Sequence, residues 1–320
     1  AITGEVTFGV DLTGFSTRVT QDGSSWNDGD KIGTYVLDMK TLEPVTEAAN
    51  VPYVCSEEGA SVSFTSTTPL KVQNDGTPVK FVACYPYNAD VRNFNYPVQL
   101  AAQERGSTAC DLLYAATKEE YTYSPENEPH ISLNFTHRLA KVILKFVNME
   151  KEPLEVSDVR IEGMQTAASF NIQTDVLTVD ESSVATINPY HNATTGFYEA
   201  IILPSALTDS YKVSFVLDDR EKEWIFTNLD IALPQFHKGY SYTFALYIDD
   251  SGFVEMGRLE NVDGGNSSAP WEDGSSEDGT AEGDKTPVSG YAFTPADGTQ
   301  QALADTELKI AFEGTAPELG

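Results

Sequence analysis

Apolar residues in this chain fall in short alternating runs, separated by Gly, Pro, Asn and Asp. Near the start, Val6, Phe8, Val10 and Leu12 occupy one parity of GEVTFGVDL, the period of a half-buried strand. The polar, Gly-rich interval from Ser16 to Asp30 predicts an exposed loop, and KIGTYVLDM resumes strand character. Between Val51 and Val91 three short strands are expected, parted by Glu-Glu-Gly, Thr-Thr-Pro and Asn-Asp-Gly turns. TACDLLYAATKEE, from Thr108 to Glu120, reads as a single short helix. After Val147 the strand pattern returns in LEVSDVRIEGM, ASFNI, VLTV, GFYEAIILP, YKVSFVLDD, EWIFTNLDI and YSYTFALYID.

The densest apolar stretch, Ile131 to Val147, carries two competing parities. Leu133, Phe135, His137 and Leu139 lie on one, and Val142, Leu144 and Phe146 on the other. Its β-branched and aromatic content favours strand over helix. The expectation is a central strand, or two strands meeting at His137 and Arg138, where one sandwich closes and the next begins.

Regularly spaced short strands without βαβ alternation predict an all-β chain of two tandem antiparallel β-sandwich domains. The expected divisions are 1–130, 131–260, a linker at 261–285 and a truncated module at 286–320. The linker is rich in Gly, Ser, Asp and Glu, and Trp271 is its large apolar residue. Its acidic residues lack the fixed loop spacing of a calcium site. The roughly 35 residues beyond it are too few to bury a core alone, so the sequence is expected to be a piece of a longer protein. The start at Ala1 fits an export signal missing from this sequence.

Composition narrows the function. A formal charge of −29 argues against binding nucleic acid or anionic lipid, since both want a Lys/Arg surface. The three cysteines, Cys55, Cys84 and Cys110, have no metal-type spacing and form no closed disulfide framework. Cys84 is expected to be a small buried hydrophobe. GxSxG, P-loop, GxGxxG and HExxH patterns are missing. His130 and His137 without a third ligand make a weak metal case. No enzymatic activity, cofactor or metal is therefore expected. His137, between Phe135 and Leu139, reads as a packed, hydrogen-bonded residue whose replacement by Ala costs about 1–3 kcal/mol. Tyr85-Pro86-Tyr87 and Tyr121-Thr122-Tyr123 are aromatic clusters that could stack on sugars, though packing is the commoner fate.

Four groups of residues in order carry a resemblance. Trp26-Asn27-Asp28-Gly29-Asp30-Lys31-Ile32-Gly33 follows Thr17-Arg18-Val19. Then come Ala83-Cys84-Tyr85-Pro86-Tyr87, Asp111-Leu112-Leu113-Tyr114-Ala115 and Phe135-Thr136-His137-Arg138-Leu139-Ala140-Lys141-Val142. Together they resemble the fimbrillin family of Bacteroidales, subunits of type V pili, over roughly residues 5 to 271. The resemblance implies two transthyretin-like sandwiches and export as a lipoprotein precursor to the outer membrane. It also implies assembly with other pilin subunits by strand exchange, once a protease cuts after an arginine. Here Arg18 is the candidate processing site, and Val6, Phe8, Val10 and Leu12 mark the candidate displaced strand. Trp26, Gly29, Asp30, Tyr85, Pro86, Phe135 and His137 are the structural markers.

The tail, with Phe293-Thr294-Pro295-Ala296-Asp297-Gly298 and Leu308-Lys309-Ile310-Ala311-Phe312, resembles the start of an Ig-like domain. A simple stalk subunit should end near Trp271, so a tip or accessory adhesin that contacts host or bacterial surface glycans is a serious reading. The alternative is the non-catalytic, carbohydrate-binding front end of a larger secreted polysaccharide-degrading enzyme.

Overall fold

The computed structural model describes residues 3–10, 26–46, 49–59, 62–103, 106–126, 128–148, 155–217, 219–226 and 235–248, plus strand backbone at 254–261, 272–273, 294–295 and 310–311. Arg18, Leu12 and most of the expected linker and Ig-like module lie outside the described residues. The chain divides into two compact units, 1–281 and 282–320. In the second, Thr294–Pro295 pairs antiparallel with Ile310–Ala311.

The chain is all-β. Its first strands in order are β1 (Thr3–Glu5), β2 (Thr7–Val10), β3 (Lys31–Asp38), β4 (Val51–Cys55), β5 (Val62–Thr65), β6 (Lys71–Gln73), β7 (Val79–Tyr85), β8 (Asn95–Gln99), β9 (Leu113–Ala116), β10 (His130–Ser132) and β11 (Thr136–His137). Eight of them form one sheet in the order β10-β2-β5-β4-β3-β7-β9-β11. A flat sheet of that width would hold its edges about 34 Å apart at a strand spacing near 4.8 Å. Yet β10 and β11 are both edges and are consecutive in the chain; four residue steps from Ser132 to Thr136 reach at most about 14 Å. The sheet must therefore curl until its edges nearly meet. Where it stays open, between β10 and the β9–β11 side, there is a cleft lined by Lys118, Tyr121, His130, Asn134, Thr136 and Arg138 among others.

The second set runs β12 (Ala140–Asn148), β13 (Val156–Glu162), β14 (Ala167–Asn171), β15 (Val176–Val179), β16 (Tyr190–Asn192), β17 (Phe197–Ile202), β18 (Ser205–Ala206), β19 (Lys212–Leu217), β20 (Arg220–Ile225), β21 (Gln235–Phe236), β22 (Tyr240–Ile248), β23 (Val254–Asn261) and β24 (Glu272–Asp273). One sheet has the order β16-β17-β12-β22-β23, with β24 also on β22; a three-stranded sheet β13-β19-β20 packs against it. Their shared core holds Val142, Leu144, Ile161, Val213, Phe215, Trp224, Phe226, Tyr242 and Phe244.

A third sheet, β15-β14-β8, ties the two halves together, because β8 precedes β10 while β14 follows β12. It covers the outer face of the curled sheet, packing Val98, Ala168 and Phe170 on Tyr35, Leu37, Val82, Leu112 and Tyr114. Strands β3, β7 and β9 are consequently buried on both faces, which explains their near-continuous apolar runs.

Two expectations are sharpened or overturned here. The helix expected at Thr108–Glu120 is a 3-10 turn at Ser107–Cys110 followed by β9. Leu113 and Ala115 enter the first core, and Leu112 and Tyr114 the outer one, so burial on two sides overrides the local Ala/Lys/Glu preference for helix. The stretch Ile131–Val147 is three strands, with Ile131, Leu133, Phe135, His137 and Leu139 buried on odd positions, then Ala140, Val142 and Leu144 on even ones. The phase changes between Leu139 and Ala140, where the chain leaves the first sheet for the second. The expected division at 130/131 falls inside β10, and the first sheet runs on to His137.

Candidate functional site

The first strand sits inside the curled sheet. Along β1 it pairs antiparallel with β6, from Thr3 opposite Gln73 to Glu5 opposite Lys71. Along β2 it has a neighbour on each side: β5 antiparallel, with Phe8 opposite Phe64, and β10 parallel, with Ile131 opposite Phe8. Val6 stands between β1 and β2, where one partner is exchanged for the other. Its amide donates to Leu70 O at 2.9 Å, and its carbonyl accepts from the Tyr53 hydroxyl at 2.9 Å. That hydroxyl in turn accepts from Leu70 N at 2.9 Å. Burial pushes the Tyr53 hydroxyl up to about 12, so it stays protonated and keeps donating.

The side chains follow the alternation read from sequence. Val6 and Phe8 are 0% exposed and Val10 is 1% exposed. Phe8 meets the edges of Tyr53 and Phe81, with ring centroids 4.8 and 5.8 Å apart. Burying three such side chains is worth roughly 5–9 kcal/mol together. A domain's whole stability is only about 5–15 kcal/mol. Without an occupant, this slot would leave the first core marginal, with the edges of β5 and β10 unpaired.

Four of the marker residues converge beside the strand. Trp26 is fully buried and meets Phe64, Tyr85 and Phe135 edge-on, at 5.0, 5.1 and 5.5 Å. The turn Asn27–Asp30 seats it: Gly29 adopts φ +89°, which favours glycine, and its amide donates to Cys55 O at 2.8 Å. Asp30 accepts from Asn27 N at 2.7 Å and from the Tyr85 hydroxyl at 3.2 Å. Burial raises the Asp30 carboxyl above its ordinary range, although both hydrogen bonds pull it back. Burial, helped by the Asp30 charge, also raises the Tyr85 hydroxyl. The Tyr85–Pro86 bond is cis.

His137 lies apart from this cluster. Its Nδ1 is 2.7 Å from Asp111 Oδ2, with side chains 1% and 10% exposed. Sequence reading missed Asp111 as its partner, and that depth removes both from any role with a diffusing substrate. His130 does not meet His137; its Nδ1 is 3.0 Å from Thr7 Oγ1 on the first strand. Among the described residues no group of three or more His, Cys, Asp or Glu could hold a metal ion. Cys84 is buried, and burial holds its thiol well above the ordinary range. Among the described residues no helix is long and apolar enough to cross a membrane.

The sequence reading also missed Tyr53, Tyr123 and His130 as partners of the first strand. A signal existed in Gly4 and Gly9, since glycine inside a strand often marks a close approach. Fold and site together define a class: an all-β protein with an aromatic plug and an N-terminal strand threaded between two later ones. The chain belongs to the fimbrillin-like family, whose model matches residues 17–271.

Solved structures agree on the fold. A candidate cell adhesion protein from Bacteroides uniformis superposes with a TM-score of 0.65 at 21% identity, covering 81% of this chain and 97% of that one. Another from Bacteroides ovatus gives 0.61 at 13% identity, covering 84% and 98%. A third from Bacteroides fragilis gives 0.50 at 16%, covering 82% and 99%. Comparison with curated proteins returns no match.

Proposed function

We propose that the chain is a non-enzymatic fimbrial subunit, structural or an adhesin at the tip, that joins its neighbours by strand exchange. An Arg-specific protease cuts after Arg18, the first strand leaves, and a strand from another subunit takes its slot. The observation that carries this reading is the interior position of β2, with Val6, Phe8 and Val10 buried between β5 and β10. An unfilled interior slot exposes two backbone edges and an apolar core face, and a strand from a partner restores both. Family membership supports it too. Location at the cell surface, on a lipoprotein precursor exported to the outer membrane, belongs to the same reading. So do contacts with surface glycans if the subunit sits at the tip.

Incubation with an Arg-specific protease tests the mechanism. The expected product begins at Val19 and forms larger oligomers on size-exclusion chromatography, while Arg18→Ala stays uncut and monodisperse. Resistance at Arg18, or cleavage without growth in size, refutes the proposal.

A further inference from the structure

Two rings close over the first strand at its two glycines. An ideal Cβ at Gly4 would lie 2.8 Å from Tyr123 Cζ and 3.1 Å from Pro129 Cδ. One at Gly9 would lie 2.7 Å from His130 Nε2 and 3.1 Å from its Cε1. Neither glycine has a positive φ, so a side chain there is a matter of space and not of backbone conformation: the Tyr123 or His130 ring would have to move aside to admit it. Gly9 shares the parity of Thr7, whose side chain is exposed, yet Gly9 is buried. The imidazole supplies that cover, steadied by its contact with Thr7 Oγ1.

Such covers solve a problem that alternation leaves open. A slip of one residue turns every apolar side chain outward and is excluded by burial. A slip of two keeps all parities and would still fill the slot. With the rings in place, a two-residue slip puts a side chain under Tyr123 or His130. We propose that Tyr123 and His130 form a gauge admitting strands with glycine at two positions five apart and apolar residues at the second and fourth places after the first glycine. This deepens the strand-exchange reading and rests on it.

The chain holds four pairs of glycines five apart: 4 and 9, 9 and 14, 252 and 257, and 274 and 279. Besides the first, only Gly252-Phe253-Val254-Glu255-Met256-Gly257 meets the rule, with Val254 in place of Val6 and Met256 in place of Phe8. Arg258 then takes the place of Val10 at the strand's end, where its stem can cover apolar surface and its head reach water. Most of this segment is β23, an edge strand whose pairing with β22 shifts register twice. The occupant assigned to the slot is this segment of a second copy.

The test uses the full chain cleaved by an Arg-specific protease and labelled peptides of residues 1–12 and 249–260, read by fluorescence anisotropy. The 1–12 peptide should bind, and its Gly4→Ala and Gly9→Ala versions should bind about tenfold more weakly. In a His130→Ala protein the Gly9→Ala peptide should recover and the Gly4→Ala peptide should not; Tyr123→Ala should do the reverse. Equal binding by parent and Ala peptides overturns the gauge. Binding by 1–12 but not by 249–260 overturns the assigned occupant. If no peptide binds, strand exchange itself fails, and the gauge is then decided in the uncleaved chain. There, a lowered melting temperature in Gly9→Ala that His130→Ala restores supports it, and equal loss in both backgrounds refutes it.

Discussion

Replacing Tyr53 by Phe removes one oxygen and should loosen the first strand more than any other change of that size. The ring stays against Phe8, 4.8 Å away, so packing is kept. What goes is the hydroxyl that bridges the Val6 carbonyl and the Leu70 amide at the point where the strand changes partners. Tyr53 is 0% exposed and the space of one oxygen is too small for water, so both backbone groups are left without that partner. Each such loss costs about 1–3 kcal/mol, and about 2–5 kcal/mol is expected for the pair. The bond from Val6 N to Leu70 O persists and keeps the two segments in register, so the loss is local to the two stranded groups.

Urea unfolding followed by Trp26 fluorescence measures the loss, because Trp26 lies in the same core and Trp224 in the other. The two cores need not melt together, so amide exchange at Leu70 supplies the local reading. Protection there should fall by a factor matching the measured free energy, while amides of β12 and β22 change little. A loss under about 0.5 kcal/mol with unchanged Leu70 exchange would refute the idea that this hydroxyl locks the strand.

Other predictions follow from the same geometry. His137→Ala should cost about 3–5 kcal/mol, more than the bond alone suggests, because it strands the Asp111 carboxylate in a buried site; a melt shifted by less than 1 kcal/mol would contradict this. Gln103→Ala should cost about 2–4 kcal/mol, since its amide donates to Leu100 O and Ile201 O at 2.7 Å and accepts from Ile201 N at 2.8 Å, linking β8's side of the molecule to β17. Because burial raises the Asp30 carboxyl, the urea midpoints of the wild type and of Asp30→Asn should differ in pH slope, and parallel slopes would contradict this. The sign is set by linkage: a carboxyl with its folded pKa above its unfolded one contributes stability at low pH. That contribution is lost as pH rises from the ordinary carboxylate value through the raised one. The substitution should flatten that part of the profile, scanned from roughly pH 4 to pH 7.

Much of the fold is legible along single strands. The alternation of Val6, Phe8 and Val10 needs no partner to be read, and the phase break in Ile131–Val147 is visible as two parities in one run. What escapes is pairing over distance. Nothing in Asn95–Gln99 or Ala167–Asn171 announces that they lie side by side, although that ladder joins the halves of the molecule. It also explains the error at Thr108–Glu120. A strand buried on two faces loses its alternation, and LLYAA between two cores then resembles a helix as much as a strand.

The site follows the same division with a sharper consequence. Trp26, Asp30, Tyr85 and Phe135 are legible as markers, and three of them touch Trp26 or each other only because β3, β7 and β11 bring distant turns together. Their rings pack into the first core, whereas the proposed exchange would act on the slot and its covers. Those covers, Tyr123 and His130, come from just before β10 and from its first residue, so they lie more than a hundred positions from the strand they close over, whereas Tyr53, Phe64 and Leu70 hold it from nearer in the chain. A strand held by late residues cannot be secured until the chain has folded back on itself. It is also held through backbone bonds, glycine contacts and the burial of alternate apolar side chains, all of which another strand with the same pattern could reproduce. An element meant only for stability would be anchored by side chains unique to it. The first strand is anchored by a pattern, and a pattern can be supplied by a neighbour.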